Sequence, residues 1–244
     1  MSNQEAYVWG QNTVVETPHI DALADRGLLC KSFYATSPVC TPSRASFISG
    51  LYPMKTGYPK NDYPLNDEVI SFAEILKQHG YATSYVGKWH LDGDAKPGFM
   101  PPRNFGFDDN RYMINRGHWK LLQDTQDGLD LIGSWNNETE KYSYDINDAT
   151  STSYTTDFLF DKATEIIERD KDEAFCLMLS IPDPHDGNEV RTPYNTMYAD
   201  MHFDQPVSMG NALEGKPNWV KDGSNSITSI PQLAFTKYFG MVKC

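Results

Sequence analysis

The chain has 244 residues, 39% of them hydrophobic and 22% charged, which is enough apolar material for one large α/β domain or two small ones. Twenty-one lysines and arginines against 33 acids give a net charge of −12, which argues against nucleic acid and anionic membranes as partners but leaves room for a locally cationic pocket. No apolar run approaches the ~20 residues that cross a bilayer, and Met1-Ser2-Asn3-Gln4-Glu5 shows neither the basic nor the apolar part of a secretory leader.

In chain order, Thr17-Pro18 followed by Ile20, Leu23 and Ala24, with Gly27 after, predicts a short helix capped by Thr17 and stopped by Gly27. A helix start over residues 42–48 would place Cys40 just ahead of its N-terminus. Residues 66–79 give the clearest helix: Asn66 as cap, Asp67 and Glu68 at the positive end of the dipole, Val69, Phe72, Ala73 and Leu76 on one face, and Gly80 as stop. Residues 81–86 predict a strand, with Gly87 releasing the chain. A second amphipathic helix is expected over 157–169, and the apolar run 174–181 suits a central strand covered on both faces. This alternation predicts an α/β sandwich on a mixed or parallel sheet. Residues 92–150 are rich in Gly, Pro, Asn, Asp and aromatics with little period, and predict long surface loops with short local elements; residues 183–230 are similar. The four cysteines, Cys30, Cys40, Cys176 and Cys244, form no C-x-x-C pair and no zinc spacing; Cys30 and Cys176 sit in apolar runs and read as buried thiols.

Chemistry concentrates in three places. Cys40-Thr41-Pro42-Ser43-Arg44 sets a cysteine beside a helix start and an arginine, both of which favour a thiolate, so the segment suggests a nucleophile rather than a packing residue. Gly80-Tyr81-Ala82-Thr83-Ser84-Tyr85-Val86-Gly87-Lys88-Trp89-His90 carries a strand into Lys88 and His90, which in extended backbone project to one side, beyond a strand end where open α/β sheets place their sites. Ser180-Ile181-Pro182-Asp183-Pro184-His185 leaves the apolar run through two prolines that would hold His185 in place. Taken alone, Lys88 reads as solvated, His90 as packed and His185 as a loop residue. His19, His79, His118 and His202 have no comparable context and read as surface or structural. Asn137-Glu138-Thr139 is a glycosylation sequon, and Asp108-Asp109 reads as a solvated turn.

The first two segments resemble the C-x-P-S-R and G-Y-x-T-x-x-x-G-K-x-H signatures of the type I sulfatases. Residues 17–27 resemble the segment usual upstream of them, with His19 in place of the common Asn, and Gly106-Phe107-Asp108 resembles a further family stretch. The resemblance implies an alkaline-phosphatase-like α/β sandwich, with a central mixed, mostly parallel sheet flanked by helices. It implies that Cys40 is oxidised to formylglycine by a maturation enzyme. The aldehyde then hydrates; one hydroxyl attacks the sulfur of a sulfate ester, and the second drives expulsion of the sulfate. Ca²⁺ or Mg²⁺ would polarise the reacting oxygens, held by residue 40 and, at the family's metal positions, Asn3 and Gln4. Arg44 would hold the nucleophile, Lys88 and His185 would bind sulfate oxygens and the bridging oxygen, and His90 would accept the hydroxyl proton.

The resemblance also implies that residues 1–244 are a partial catalytic domain, truncated at both ends. The opening strand is missing, Asn3 stands where the family has an aspartate, and the later metal ligands, a sulfate-contacting lysine and a C-terminal subdomain are missing too. The substrate implied is a sulfated small molecule or glycan, and the compartment implied for the full-length family is periplasmic, secreted or lysosomal. Two other readings stand beside it: an inactive fragment or paralogue that binds sulfated ligands, and a phosphonate or phosphate ester hydrolase of the same superfamily.

Overall fold

A computed structural model describes residues 15, 17–30, 32–57, 60–126, 128–136, 141–185, 187–205, 215, 217 and 230–244. Asn3, Gln4 and the Asn137 sequon lie outside the described residues. The chain divides into two compact units, residues 33–185 and residues 1–32 with 186–244.

The larger unit is built on strand β1, Ala82–Lys88. On one side β1 pairs in parallel with β2, Asp109–Ile114, through a bulge between Ser84 and Val86; on the other it pairs in parallel with β7, Phe175–Ser180, from Ala82↔Phe175 to Gly87↔Ser180. The sheet order is β2-β1-β7, all parallel among the described residues. Two hairpins lie between β2 and β7, one of β3 (Leu122–Thr125) with β4 (Gly128–Leu131) and one of β5 (Ser134–Asn136) with β6 (Lys141–Ser143). The expectation of loops over 92–150 therefore missed β2, a strand of the main sheet.

The expectation of a central strand over 174–181 is also corrected. It is β1 whose residues are buried from Thr83 onward, whereas every residue of β7 is half-buried and its outer side pairs with no strand among the described residues. One face of β1 packs an aromatic cluster in which Tyr85, Trp89, Phe105 and Phe107 are buried and Phe72 joins edge-on. The other face packs Val86 with Leu122, Phe158, Leu159 and Ile166. Each fully buried apolar side chain contributes about 1.5–3 kcal/mol, and Trp89, fully buried between Lys88 and His90, packs on Tyr85, Phe105 and Phe107.

Helices cover the sheet. α1 spans Pro18–Arg26 in the smaller unit, as expected, but buries no residue, and Cys30 just after it is exposed rather than buried. α2 spans Cys40–Ser49, so Cys40 is itself the first helical residue. After the short α3, Pro53–Thr56, comes α4, Phe72–Gln78. It begins five residues later than expected because Ser71, not Asn66, forms the cap. The Ser71 hydroxyl accepts from the Glu74 N–H at 3.1 Å, and Glu74 accepts from the Ser71 N–H at 2.8 Å. Asn66 caps only a turn, accepting from the Glu68 N–H. α5, Thr155–Asp170, packs on β1 and β7.

The smaller unit has its own core of Val15, Tyr198, Phe203, Phe235 and Phe239, organised by α6, Gln232–Lys243. Among the described residues no helix is long and apolar enough to cross a membrane.

Candidate active site

The five predicted catalytic side chains, Cys40, Arg44, Lys88, His90 and His185, fall in the larger unit, around the C-terminal end of β1. Cys40 opens α2 and is partly exposed. One turn on, Arg44 donates to the Lys88 carbonyl at 2.6 Å and to the Ser180 hydroxyl at 2.7 Å, tying α2 to the ends of both β1 and β7. The Lys88 carbonyl also accepts from the Tyr85 hydroxyl at 2.6 Å. Gly87 permits this convergence. Its φ is +99°, and a Cβ there would lie 2.1 Å from the Ser180 carbonyl oxygen. Gly87 thus belongs to the strand itself rather than releasing the chain.

Lys88 is 2% exposed. Burial pushes its ammonium pKa down to about 8; Arg44 and Arg116 push the same way, while Cys40 and Asp62 oppose them. His90 does not continue the extended run. Its φ is +62°, a left-handed conformation that a non-glycine residue adopts only when its surroundings enforce it. Here the Thr41 hydroxyl holds the His90 carbonyl at 3.0 Å, and Thr41 is in turn held by Asn61. The parity argument for Lys88 and His90 therefore does not apply, and the two side chains reach different partners. His90 Nε2 meets Asp62 Oδ1 at 3.0 Å, and Arg116 Nε meets the same oxygen at 3.0 Å. With the Nε2 proton on Asp62, the Nδ1 lone pair is the proton-accepting atom, and Nδ1 is buried with no hydrogen-bond partner. Burial holds His90 below the usual imidazole range despite Asp62, so the ring is neutral.

His118 corrects the sequence reading. Its Nε2 lies 2.7 Å from Lys88 Nζ, and its ring stacks on His185 with centroids 3.5 Å apart and planes 15° apart. Burial first, then Lys88, His185 and Lys120, push its pKa down to about 3. The unfolded chain takes up this proton near pH 6.5 and the folded chain does not. Stability is therefore expected to fall as pH drops below 6.5 and to go on falling toward pH 3. Thermal melts of H118Q and the parent at pH 7 and pH 5 test this: the variant should lose less of its melting temperature across that interval.

His185 is placed from below. Two residues earlier, Asp183 takes the Lys120 ammonium at 2.5 Å, the Thr156 hydroxyl at 2.7 Å and the Tyr154 hydroxyl, with Lys120 and Asp183 side chains only 2% and 6% exposed. Asp62, Arg116, His118 and Lys120 were missed in sequence, because each acts across distant chain segments and no local motif marks them; Asp183 lies inside the segment singled out for His185, but its partners Lys120, Tyr154 and Thr156 are far along the chain. Asp108 and Asp109 are spent on ion pairs, with Lys77 and with Arg111 and Arg169. A cavity of about 600 Å³ lies elsewhere, between α4 and residues 102–106.

Among the described residues no three His, Cys, Asp or Glu side chains converge as a metal site. The charges acting on Lys88 near Cys40 are Arg44 and Arg116 against Asp62. A hard divalent cation needs about six oxygen ligands, so the described residues do not fit one by themselves. What they form is a cationic cluster in which Arg44 and Arg116 surround Lys88.

The described fold is an α/β scaffold with a parallel sheet, and the cationic cluster lies at the C-terminal end of its central strand. Residues 5–219 match the Sulfatase family model, and the chain belongs to that family. It is 34% identical over 189 residues to the ulvan-active sulfatase of Formosa agariphila, covering 76% of this chain and 34% of that protein. It is 26% identical over 227 residues to the N-acetylglucosamine-6-O-sulfatase of Bacteroides thetaiotaomicron, covering 93% and 36%. Its fold is similar to that of yidJ from Bacteroides fragilis, with a TM-score of 0.64 at 22% identity, covering 95% of this chain and 51% of that one. It is also similar to the phosphonate monoester hydrolase of Silicibacter pomeroyi, with a TM-score of 0.59 at 19% identity, covering 98% and 54%. The chain thus spans about a third of the length of these curated relatives and about half of the solved chains.

Proposed function

We propose that the protein carrying this chain is a sulfuric ester hydrolase acting on sulfate monoesters of carbohydrate, with a formylglycine made from Cys40 by a maturation enzyme. The observation that carries this reading is the gathering of Cys40, Arg44, Lys88, His90 and His185 at one end of β1, in a cationic cluster within a chain of net charge −12. The carbohydrate substrate rests on the names of the two sulfatase relatives.

In this reading the aldehyde supplies the nucleophile, and the surrounding residues do the rest. Arg44 fixes α2, and with it residue 40, against β1 and β7. Lys88 offers a desolvated ammonium to the sulfate oxygens, where charge is worth more than in water. His185, held by the Asp183 anchor, faces the oxygen that bridges sulfur to the sugar. His90 Nδ1 takes up the proton whose loss releases sulfate. Residues 1–244 then form part of the catalytic domain, and the Ca²⁺ or Mg²⁺ ligands that the described residues do not supply come from elsewhere in the protein.

The test is intact mass after co-expression of the complete protein with a formylglycine-generating enzyme. The peptide containing residue 40 is expected to show the thiol replaced by an aldehyde, and the matured protein should hydrolyse an aryl sulfate faster than the matching aryl phosphonate ester. An unmodified Cys40 would sink the formylglycine reading; faster phosphonate hydrolysis would favour the other activity of the superfamily.

A further inference from the structure

We propose that His118 is a positioning residue of this site, an acceptor that fixes the Lys88 ammonium where an anionic substrate meets it, while its ring backs His185. The inference rests on the hydrolase reading for its substrate, but the positioning itself stands on the geometry of this chain.

Lys88 is a long, flexible side chain with almost no exposure, and His118 Nε2, at 2.7 Å, is the hydrogen-bond partner seen at its end. An acceptor there directs one N–H of the ammonium inward and leaves the others to face the site. The neutral state this requires agrees with the strong downward displacement of the His118 titration. On its other side the ring lies flat on His185, so a single imidazole sets the position of two predicted sulfate-binding groups.

The segment that carries His118 is built to hold it. Residues 115–120 begin at Asn115, fully buried, whose amide donates to the carbonyls of Asp92, Gly93 and Ala95. The Trp119 indole N–H returns to the Arg116 carbonyl at 2.8 Å. Gly117 has φ +103°, and a Cβ there would lie 2.4 Å from that indole, so the turn has room for glycine alone. The segment ends on α5, with the Thr155 hydroxyl on the Trp119 carbonyl and the Thr155 N–H on the Lys120 carbonyl. Alternate side chains of this strap serve the site: Arg116 holds Asp62, the partner of His90; His118 holds Lys88 and backs His185; Lys120 holds Asp183, which anchors the His185 turn.

Three variants of the complete, matured protein separate the contacts. H118A removes both, H118Q returns an acceptor without a ring, and H118F returns a flat ring without an acceptor. On 4-methylumbelliferyl sulfate, H118A should lower kcat/KM about 100-fold, mostly in kcat, the cost of misplacing a catalytic group by about 1 Å; H118Q should recover most of that loss through the acceptor, and H118F a smaller part through the ring. A second readout needs no turnover. Reductive methylation of Lys88, followed by peptide mass spectrometry, should be slow in the parent and H118Q and several-fold faster in H118A and H118F, since their ammonium is untethered. Equal labelling in all four proteins, or rescue by Phe rather than Gln, overturns the proposal. If no protein hydrolyses the ester while the labelling pattern holds, the hydrolase reading fails and the role of His118 stands.

Discussion

Replacing Gly87 by alanine is expected to lower the melting temperature sharply. The added Cβ would lie 2.1 Å from the Ser180 carbonyl oxygen and 2.9 Å from the Ser180 carbonyl carbon. Both are backbone atoms of the paired strand, so no side-chain rotation relieves the clash, and β1 and β7 must separate where Gly87 pairs with Ser180. The φ of +99° adds a further penalty for any L side chain. Strain of this kind belongs to the class of substitutions that cost about 4 kcal/mol or more, against a total stability of about 5–15 kcal/mol. For a chain of this size that lowers the melting temperature by roughly 8–16 °C. Thermal denaturation followed by circular dichroism checks it; a G87A melting temperature within about 2 °C of the parent would show that the strands do not approach so closely. The effect would reach the site directly, because Arg44 spans the Lys88 carbonyl and the Ser180 hydroxyl at this same junction.

Removing Asp183 should be nearly as damaging, for a different reason. Its carboxylate is the counter-charge of Lys120 and an acceptor for two hydroxyls, from Tyr154 and Thr156, in a place almost closed to solvent. In D183A the Lys120 ammonium stays buried without that counter-charge, and breaking a buried pair from one side costs about 3–5 kcal/mol. D183A is expected to unfold at a markedly lower urea concentration, and D183A/K120M to regain much of the loss, because the second change removes the stranded charge rather than restoring the bond. If the single and double variants are equally destabilised, the ion pair is not what holds this corner, and the anchor for His185 must be sought in the two hydroxyls.

What could be read from the chain differed with the range of the interaction. Cys40, Arg44, Lys88 and His90 stand in two short contiguous segments whose composition carries the chemistry, and α1, α5 and β1 follow local periodicity, although Thr17 makes no capping hydrogen bond at α1. β2 escaped because Asp109, Asn110 and Arg111 are polar, only Tyr112, Met113 and Ile114 are buried, and three residues are too few to show a period. The start of α4 was misplaced because Asn66 and Ser71 can both cap. The reciprocal bond with Glu74 decides between them, and S-x-x-E was visible in the sequence. His118 was out of reach for another reason. Nothing beside it in the chain marks it, and its partner Lys88 lies 30 residues away. The bend at His90 was likewise invisible, since its carbonyl is held by Thr41 of α2, 49 residues away.

The alternation of Arg116, His118 and Lys120 makes residues 115–120 behave as a cassette. Three settings of the site hang on one reading frame of side chains, so they cannot be tuned one at a time by changing the length of this segment. Deleting or inserting a single residue between Arg116 and Lys120 would shift these side chains relative to one another, whereas exchanging the whole hexapeptide for another of equal length, with Gly117 kept, would alter them in concert. Efforts to alter this site should therefore move the hexapeptide as one piece rather than search it position by position.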